Sequence, residues 1–358
     1  MALDEATADS TPVEMGGTRH ATPVRPRTYD VPRRCWAFLV GISRYKQSQL
    51  NLQFAHRDAA ELAQQLRQPC CGAFAPDDIV LLCDEEATTA RVIGELRVFL
   101  QKPAPEDLVI LYFACHGSLD VRRPSVAYLV MHDTDVGDLA RTGLLMREVI
   151  ASLNDYLAAQ RVVLFADTCH SGALAGVRGI SDSTAVVNRY LDELAKSRPG
   201  VAVFTSAHAG ELAQENARWG GGHGVFTHFL LEGLRGQADR NPRNFMITID
   251  ELFRYVSENV SKETRNQQRP CTGSAVYDPD LVLSCTAGIA AHDQCEIGMQ
   301  LLRMGRLLDY NRCYDDAQRE LKRARRAAEN MQSILPEAEL GIGLAMLLRG
   351  DAPGAAKQ

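Results

Sequence analysis

The chain has 358 residues, of which 46% are hydrophobic and 23% charged, and its formal net charge is −6. These are ordinary values for a globular protein, and a typical domain size of about 100 to 200 residues makes the length consistent with two domains. The acidic balance excludes the charge pattern expected for binding to nucleic acid or to an anionic membrane. The sequence also contains no run of about 18 apolar residues, the length that could span a bilayer.

The first 33 residues combine Asp4, Glu5 and Asp9 with later arginines and lack the apolar core of a signal peptide. We expect residues 1–33 to form a flexible leader. The ten cysteines of the chain show neither a paired CxxC spacing nor a dense disulfide framework. A reducing, cytoplasmic location fits this cysteine usage best.

Strand and helix patterns alternate from residue 35 onward. Apolar runs predict strands at residues 35–42, 78–83, 108–113 and 162–165, with a short strand or hairpin arm at 127–131. Helical spacing predicts helices at residues 54–67, 88–101 and 144–158, and Thr88 or Thr89 is the expected N-cap of the second. This alternation predicts an α/β fold with a mostly parallel sheet and helices on both faces.

Residues 172–200 are rich in glycine and serine and contain few large apolar side chains, so we expect a long loop there. A strand at 201–205, helices at 225–235 and 249–260, and a final edge strand at 280–284 are predicted to follow.

The last part of the chain shows helical patterns only, at residues 295–308, 314–331 and 337–348. Two pieces of it align on Ala317 and Ala355, 38 residues apart, which indicates helix-pair repeats. With Tyr314, Ala324 and Pro336 in matching places, residues 290–358 resemble tetratricopeptide repeats. The chain stops inside a predicted helix, so we expect this all-α repeat segment to be incomplete and to bind a partner protein.

The strands at 108–113 and 162–165 both end in residues that can carry chemistry. Residues 114–118, which include His116 and Gly117, are expected to form a loop after the first, and Asp167, Cys169 and His170 follow the second. The carboxyl ends of parallel strands meet at one edge of a sheet, where α/β proteins bind their ligands. His116 lies 53 positions before Cys169, which leaves room for one helical crossover, so the two ends can be neighbours.

A thiol and an imidazole at one sheet edge predict nucleophilic catalysis. Cysteine attacks as its thiolate, and a nearby histidine such as His116 lowers the pKa of the thiol and transfers protons near neutral pH. The backbone amides of Gly117 and Cys169 could stabilise the oxyanion of a tetrahedral intermediate.

Two motifs identify a family, ACHGS at residues 114–118 and DTCHSG at residues 167–172. VGISRY (40–45), FTSA (204–207) and GVFTHFLLEGLRG (224–236) support them. The chain resembles the caspase-like cysteine peptidases, and metacaspases and paracaspases more than animal caspases. The resemblance implies a caspase-like sheet sandwiched by helices over residues 34–286, His116 as general base and acid, Cys169 as nucleophile, and Gly117 and Cys169 as oxyanion donors.

The resemblance also implies a substrate preference. Asp58 and Asp167 match the two acids of the metacaspase S1 pocket, and Ala114 and Ser206 match other substrate-binding positions. Two carboxylates favour a basic side chain, with Arg preferred over Lys because it binds them in bidentate geometry. Ala114 stands where a serine is usual, and Cys115 where a glycine is usual, which puts the depth and polarity of the pocket in question.

The residues themselves leave alternatives open. His170 rather than His116 could act as the base, Asp58 could be a solvated charge, and Asp167 could cap backbone amides. A zinc ion could instead be bound by Cys115, His116, Cys169 and His170, although no tight ligand pair is present. His208, His223 and His228 are expected to be structural or surface groups. We expect no cofactor or metal; the acid-rich stretch of Asp133, Asp135 and Asp138 lacks EF-hand spacing, although some metacaspases need calcium.

The whole pattern predicts a cysteine endopeptidase that acts on protein substrates, without nucleic-acid or membrane partners. Arg178, Arg189 and Arg198 would suit activating self-cleavage, and the helical repeats would recruit an activating protease or a regulatory protein. The resemblance implies a role in stress, cell-death or antiviral signalling. The rival interpretations are a catalytically silent scaffold that binds partners through its repeats, and acyl transfer by the same thiol.

Overall fold

The computed structural model describes residues 34–68, 71, 74–120, 122–168, 184–208, 210–239, 246–273, 277–285, 299, 302, 311–329, 340, 342 and 344–346. The leader predicted over residues 1–33 lies outside these ranges, as do Cys169 and His170.

The described strands form one large sheet and three small ones. In chain order the strands are β1 (Cys35–Gly41), β2 (Ile79–Cys83), β3 (Leu108–Ala114), β4 (His116–Asp120), β5 (Arg123–Val130), β6 (Leu144–Leu145), β7 (Arg161–Asp167), β8 (Val201–Thr205), β9 (Glu215–Asn216), β10 (His223–Gly224), β11 (Met246–Thr248), β12 (Cys271–Thr272) and β13 (Val282–Cys285). The large sheet has the order β12-β8-β7-β3-β1-β2, and all its neighbours are parallel except β12, which is antiparallel to β8. The predicted α/β fold with a mostly parallel sheet is confirmed.

Helices cover both faces of this sheet. The α-helices of the described residues are α1 (Ala55–Leu66), α2 (Thr89–Leu100), α3 (Leu139–Thr142), α4 (Met146–Tyr156), α5 (Thr184–Ser197), α6 (Val225–Glu232), α7 (Ile249–Glu263) and α8 (Asn311–Glu329). Helices α1, α6 and α7 pack on one face, and α2, α4 and α5 on the other. This arrangement follows from right-handed crossovers between parallel strands.

Burial on both faces explains why the central strands are continuous apolar runs. Every residue of β3 is buried, and so is every residue of β7 after Arg161. The core between sheet and helices includes Phe38, Phe99 and Tyr112, which are almost fully buried. Such strands need no polar alternation because neither face contacts water.

Local signals set the helix starts. The Thr88 hydroxyl accepts the Arg91 N–H and caps α2, as predicted. At α7 the Thr248 hydroxyl accepts the Glu251 N–H, and the Glu251 carboxylate accepts the Thr248 N–H, which forms a capping box.

Two predictions about elements are wrong. Residues 114–118 do not form a loop, because His116 and Gly117 begin β4, which pairs with β5 as a hairpin. The long loop predicted over residues 172–200 contains α5, whose Tyr190, Leu191 and Leu194 are buried at helical spacing. The edge strand predicted at 280–284 is confirmed as β13, which pairs with β11 in a separate two-stranded sheet.

The last described residues form a separate apolar cluster. Helix α8 confirms the helix predicted at 314–331, and its residues Tyr314, Ala317 and Leu321 are buried on one stripe against Leu302 and Ile342. Most of the helices predicted at 295–308 and 337–348 lies outside the described residues, so the tetratricopeptide-like repeat stays a prediction. Of the helices that the structure describes, none is long and apolar enough to cross a membrane.

Candidate active site

Four of the predicted site residues lie at the carboxyl edge of the large sheet. Ala114 pairs with Gly41 on one side and with Asp167 on the other. Ser206 follows β8, and its N–H donates to the Ala166 carbonyl at 2.9 Å. His116 comes two residues after Ala114. The structure therefore brings the ends of β1, β3, β7 and β8 together, as the strand pattern predicts.

Thr168 is the last described residue before the expected nucleophile. It is buried and directly follows β7, which runs parallel to β3 in register. Cys169 and the alternative base His170 lie outside the described residues, so the position of the thiol relative to His116 stays a prediction.

The orientation of His116 is fixed by backbone and tyrosine contacts. Its ring is fully buried, and Nε2 lies 2.8 Å from the carbonyl oxygen of Leu50. A carbonyl can only accept, so Nε2 carries the proton and Nδ1 is the basic nitrogen. The His116 N–H donates to the Tyr45 hydroxyl at 3.0 Å, and the two rings lie 5.2 Å apart. When the ring is neutral, this contact selects the tautomer with Nδ1 as the basic nitrogen, the form that a general base requires.

The loop that supplies Tyr45 and Leu50 is anchored by Asp84. One carboxylate oxygen of Asp84 accepts the N–H groups of Ser43 and Arg44 at 2.8 and 2.9 Å. The other accepts from the Arg44 guanidinium at 2.9 Å. Asp84 has φ of 47°, a left-handed conformation that non-glycine residues adopt at a cost. Nothing in the sequence pattern marks this residue, because its partners are about 40 positions away.

The other residues of the ACHGS motif are buried. Gly117 pairs with Leu129 in the β4–β5 hairpin, directly beside His116. Cys115 is fully buried. This burial, and to a smaller extent the nearby Asp167 carboxylate, raises the pKa of its thiol well above the ordinary range. Cys115 is therefore an unreactive thiol at neutral pH.

Asp58 and Asp167 meet at Gly224. A Cβ atom on Gly224 would lie 3.0 Å from Oδ2 of Asp167 and 3.2 Å from Oδ2 of Asp58, so a side chain there would crowd both carboxylates. The side chain of Asp58 is only 2% exposed, which shows that the alternative of a solvated charge is wrong. The structure thus joins the two acids that the sequence pairs by resemblance alone.

The partners of Asp58 come from the segment just before α6. His223 Nδ1 donates to Oδ1 of Asp58 at 2.6 Å, and the Gly224 N–H donates to Oδ2 at 3.0 Å. Burial raises the pKa of Asp58 to about 7; Asp167 also raises it, while the hydrogen bonds from His223 and Gly224 lower it. Asp58 therefore changes charge near neutral pH.

Asp167 is oriented by a buried hydroxyl pair. The Thr227 hydroxyl donates to Oδ2 of Asp167 at 3.0 Å, and the Tyr112 hydroxyl lies 2.7 Å from the Thr227 oxygen. Since Thr227 gives its proton to the carboxylate, Tyr112 must be the donor in the second bond. Ser206, next to this group, is fully buried, and among the described residues its hydroxyl has no hydrogen-bond partner.

Sequence reasoning missed His223 and Thr227 as parts of this site. His223 was expected to be structural or a surface group, yet it is buried and contacts an S1 candidate. Thr227 lies inside GVFTHFLLEGLRG, which served only as a family motif. The signal available in the sequence was the polar character of His223 and Thr227, because buried His and Thr side chains need hydrogen-bond partners.

The acid-rich stretch makes local structural contacts. Asp133 accepts the Thr89 N–H at 2.8 Å, Asp135 accepts the Gly137 N–H, and Asp138 forms an ion pair with Arg141. Within the described ranges, no group of three or more His, Cys, Asp or Glu side chains could hold a metal ion. The zinc alternative includes Cys169 and His170, so it lies partly outside these ranges.

Two of the predicted self-cleavage sites are held in place by hydrogen bonds. Arg189 is in α5, and its guanidinium donates to the Ser125 carbonyl. The Arg198 guanidinium donates to the carbonyls of Leu153, Leu157 and Ala159. A peptidase binds extended substrate, so neither arginine is presented for cleavage in this conformation. Arg178 lies outside the described residues.

Comparison with known proteins gives one family. The model of the caspase domain family matches residues 34–279. A probable protease of a Desulfuromonadales bacterium is 26% identical over 247 residues, which are 63% of this chain and 29% of that protein. The chain therefore spans less than a third of that curated relative.

Two solved structures are also similar. Protein GSU0716 of Geobacter sulfurreducens is 18% identical, with a TM-score of 0.47, over 70% of this chain and 97% of its own. Caspase-1 of Spodoptera frugiperda is 13% identical, with a TM-score of 0.44, over 74% of this chain and 96% of its own.

Proposed function

Because this chain belongs to the caspase domain family, we propose that it is a cysteine endopeptidase that cleaves protein substrates after Arg and, less well, after Lys. The observation that carries the proposal is the pair of buried carboxylates, Asp58 and Asp167, that meet at Gly224 beside the carboxyl ends of β1, β3 and β7. His116 lies at the same edge, with its basic nitrogen set by Leu50.

The proposed reaction uses Cys169 and His116. The Cys169 thiolate attacks the scissile carbonyl carbon, and the C=O electron pair moves to the oxygen, which the amides of Gly117 and Cys169 stabilise. His116, which has taken the thiol proton on Nδ1, gives it to the leaving amine as the C–N bond breaks. A water molecule that His116 deprotonates then hydrolyses the thioester and restores the free enzyme. The fixed tautomer of His116 supports this assignment.

Two acids in one pocket explain the preference for a basic side chain. A guanidinium can donate to both carboxylates at once, whereas an ammonium offers a single point of charge. An aspartate side chain would be repelled by both acids, and its own carboxylate would lose water without gaining a donor. Arg is therefore the preferred residue, Lys the second, and Asp is excluded.

Fluorogenic peptides that end in Arg, Lys or Asp test this proposal. We expect wild type to turn over the Arg peptide fastest, and Cys169→Ala and His116→Ala to abolish turnover. Asp167→Asn should raise KM for Arg by about tenfold to a hundredfold, the range for one charge-assisted hydrogen bond. Cys115→Ala is the matched control, because that thiol is buried beside the site, and it should stay fully active.

The outcomes separate the rival functions. Turnover of the Asp peptide in preference to Arg would contradict the specificity. A peptide chloromethyl ketone ending in Arg that labels Cys169, with no hydrolysis of Arg peptides, would favour acyl transfer. A purified protein that neither labels nor hydrolyses would favour the silent scaffold that binds partners through its helical segment.

A further inference from the structure

A buried charge cluster lies directly behind the two acids. His223 is 2% exposed, with Nδ1 2.6 Å from Oδ1 of Asp58 and Nε2 3.3 Å from Oε2 of Glu61. Glu61 also receives the Arg57 guanidinium at 2.7 Å, and the Arg235 guanidinium approaches it to 4.0 Å. The cluster therefore runs from the two buried acids to the arginines at the surface.

The position of His223 between two carboxylates determines its proton count. A neutral imidazole has one N–H only, so its second nitrogen would turn a lone pair toward a carboxylate oxygen. A proton on both nitrogens gives Asp58 a hydrogen-bond donor and places a positive charge 3.3 Å from the Glu61 carboxylate. The geometry thus favours an imidazolium that bridges α1 to the segment before α6.

The local backbone is built to hold this ring in place. Gly222 has φ of +130°, and a Cβ atom on it would lie 2.4 Å from the ring of Phe54, at the start of α1. Arg57 donates to the carbonyl of Gly221 at 2.7 Å. The turn therefore packs tightly on α1, which keeps His223 next to Asp58.

A cation next to Asp58 offsets the electrostatic repulsion between the two acids. Asp58 and Asp167 approach the same point on Gly224, so their negative charges repel each other. In a dry pocket one of two such carboxyl groups tends to take up a proton, and a neutral carboxylic acid is a weak partner for a guanidinium. The His223 imidazolium opposes this effect from behind, because it touches Oδ1 and leaves Oδ2 on the side of Asp167.

We propose that His223 is a positioning residue for substrate specificity: its imidazolium favours the ionised form of Asp58 and orients it, so that Asp58 and Asp167 together bind the basic side chain of the substrate. This inference rests on the proposed function, since it assigns a role within the same pocket. His223 acts through Asp58 and does not touch the substrate.

Other titratable and charged groups lie around this pair. They are Glu61 and Arg57 on α1, Asp167 on β7, Tyr112 on β3, and His228 and Arg235 on or just after α6. His228 lies 6.4 Å from His223 between ring centroids and is half-buried. It is the natural control, because it is a second histidine of the same segment and bonds to neither acid in the described contacts.

Two substitutions separate the two contacts of His223. The amide nitrogen of Asn can take the place of Nδ1, so His223→Asn keeps the bond to Asp58 and loses the charge and the contact with Glu61. The amide of Gln reaches the place of Nε2, so His223→Gln keeps the contact with Glu61 and loses the bond to Asp58. Thermal unfolding of both variants, beside His228→Gln, measures any general loss of stability.

We expect His223→Gln to raise KM for the Arg peptide by about tenfold or more while kcat changes little, since one charge-assisted hydrogen bond is lost. At high pH, the KM of His223→Asn should be close to the wild-type value. The acid limb of its kcat/KM profile should move to higher pH, because Asp58 loses a positive neighbour. His228→Gln should match wild type in KM and in pH profile.

A direct binding measurement makes the test independent of turnover. Agmatine, a small guanidine, is titrated calorimetrically into Cys169→Ala and into Cys169→Ala with His223→Gln. Binding that is present in the first protein and at least about tenfold weaker in the second supports the proposal.

Equal agmatine binding by the two proteins, or wild-type KM and pH profile in both His223 variants, would overturn it. The proposal would also be overturned if kcat fell equally for all substrates in step with a lower melting temperature, because that result indicates a structural role. If Arg peptides are cleaved by wild type and His223 proves irrelevant, only this inference fails. If agmatine does not bind to the Cys169→Ala protein and wild type does not prefer Arg, the proposed specificity fails with it.

Discussion

Asp58 couples the charge of the pocket to pH. Its pKa is raised by burial from 3.8 to about 7, so the folded protein binds a proton that the unfolded chain releases at lower pH. Recognition of a guanidinium needs the ionised form. We therefore expect kcat/KM for the Arg peptide to rise as pH increases through about 7, and this gain to be absent in Asp58→Asn.

Stability should change in the opposite direction. Because the folded pKa lies above the unfolded one, the contribution of Asp58 to the free energy of unfolding is greatest below about pH 4 and is lost as pH rises through about 7. Denaturant unfolding of wild type and Asp58→Asn across this range measures the difference. A constant difference between the two proteins from pH 4 to 8 would contradict the shifted pKa.

Single residues of the site were predictable only where a motif names them. Asp58 and Asp167 follow from the family resemblance, and their contact at Gly224 agrees with it. His223 has no such signal, since its partner Asp58 is 165 positions away in the chain. A glycine-rich stretch has no hydrophobic period that would show which of its side chains is buried.

At the level of elements, the strands of the large sheet were predictable because burial on both faces leaves uninterrupted apolar runs. The hairpin of β4 and β5 was not, since HGSLD is short and carries polar residues at buried positions. The glycines and serines in the first half of residues 172–200 obscured the helical spacing of Tyr190, Leu191 and Leu194. Local composition therefore predicted a loop where tertiary packing stabilises a helix.

The loop between β1 and α1 is the element that positions the His116 ring. Asp84 holds its start, and Leu50 and Tyr45 contact His116. We expect Asp84→Ala to lower kcat for the Arg peptide by about tenfold to a hundredfold with little change in KM, because small misplacements of a catalytic group cost up to about that much. Asp84→Asn should retain much of the activity, since Asn tolerates a positive φ and keeps one acceptor.

Glu85→Ala is the matched control for this loop. Glu85 also pairs with Arg44, at 3.1 Å, but its side chain is 61% exposed, and exposed ion pairs contribute little. Steady-state kinetics of Asp84→Ala, Asp84→Asn and Glu85→Ala tests whether this loop orients His116. An Asp84→Ala enzyme with normal kcat would show that the loop does not orient His116.

At the scale of the whole molecule, two hydrophobic cores divide the described chain. The larger contains residues from Trp36 to Leu283, and the smaller contains residues from Leu302 to Ala345, with none in common. A core that shares no side chain with its neighbour can form alone. The boundary predicted near residue 286 lies between them.

Deletion of residues 287–358 tests this separation. The larger core and every described residue of the site stay intact, so we expect the melting temperature of the peptidase part to fall by less than about 4 °C, the shift that follows a loss of roughly 1 kcal/mol. Turnover of the Arg peptide should be unchanged, because a short peptide needs only the pocket and His116 with Cys169. Cleavage of a folded protein substrate should fall if the helical segment recruits it. A deleted protein that is insoluble, or that loses peptide turnover together with thermal stability, would show that the helical segment is part of the peptidase fold.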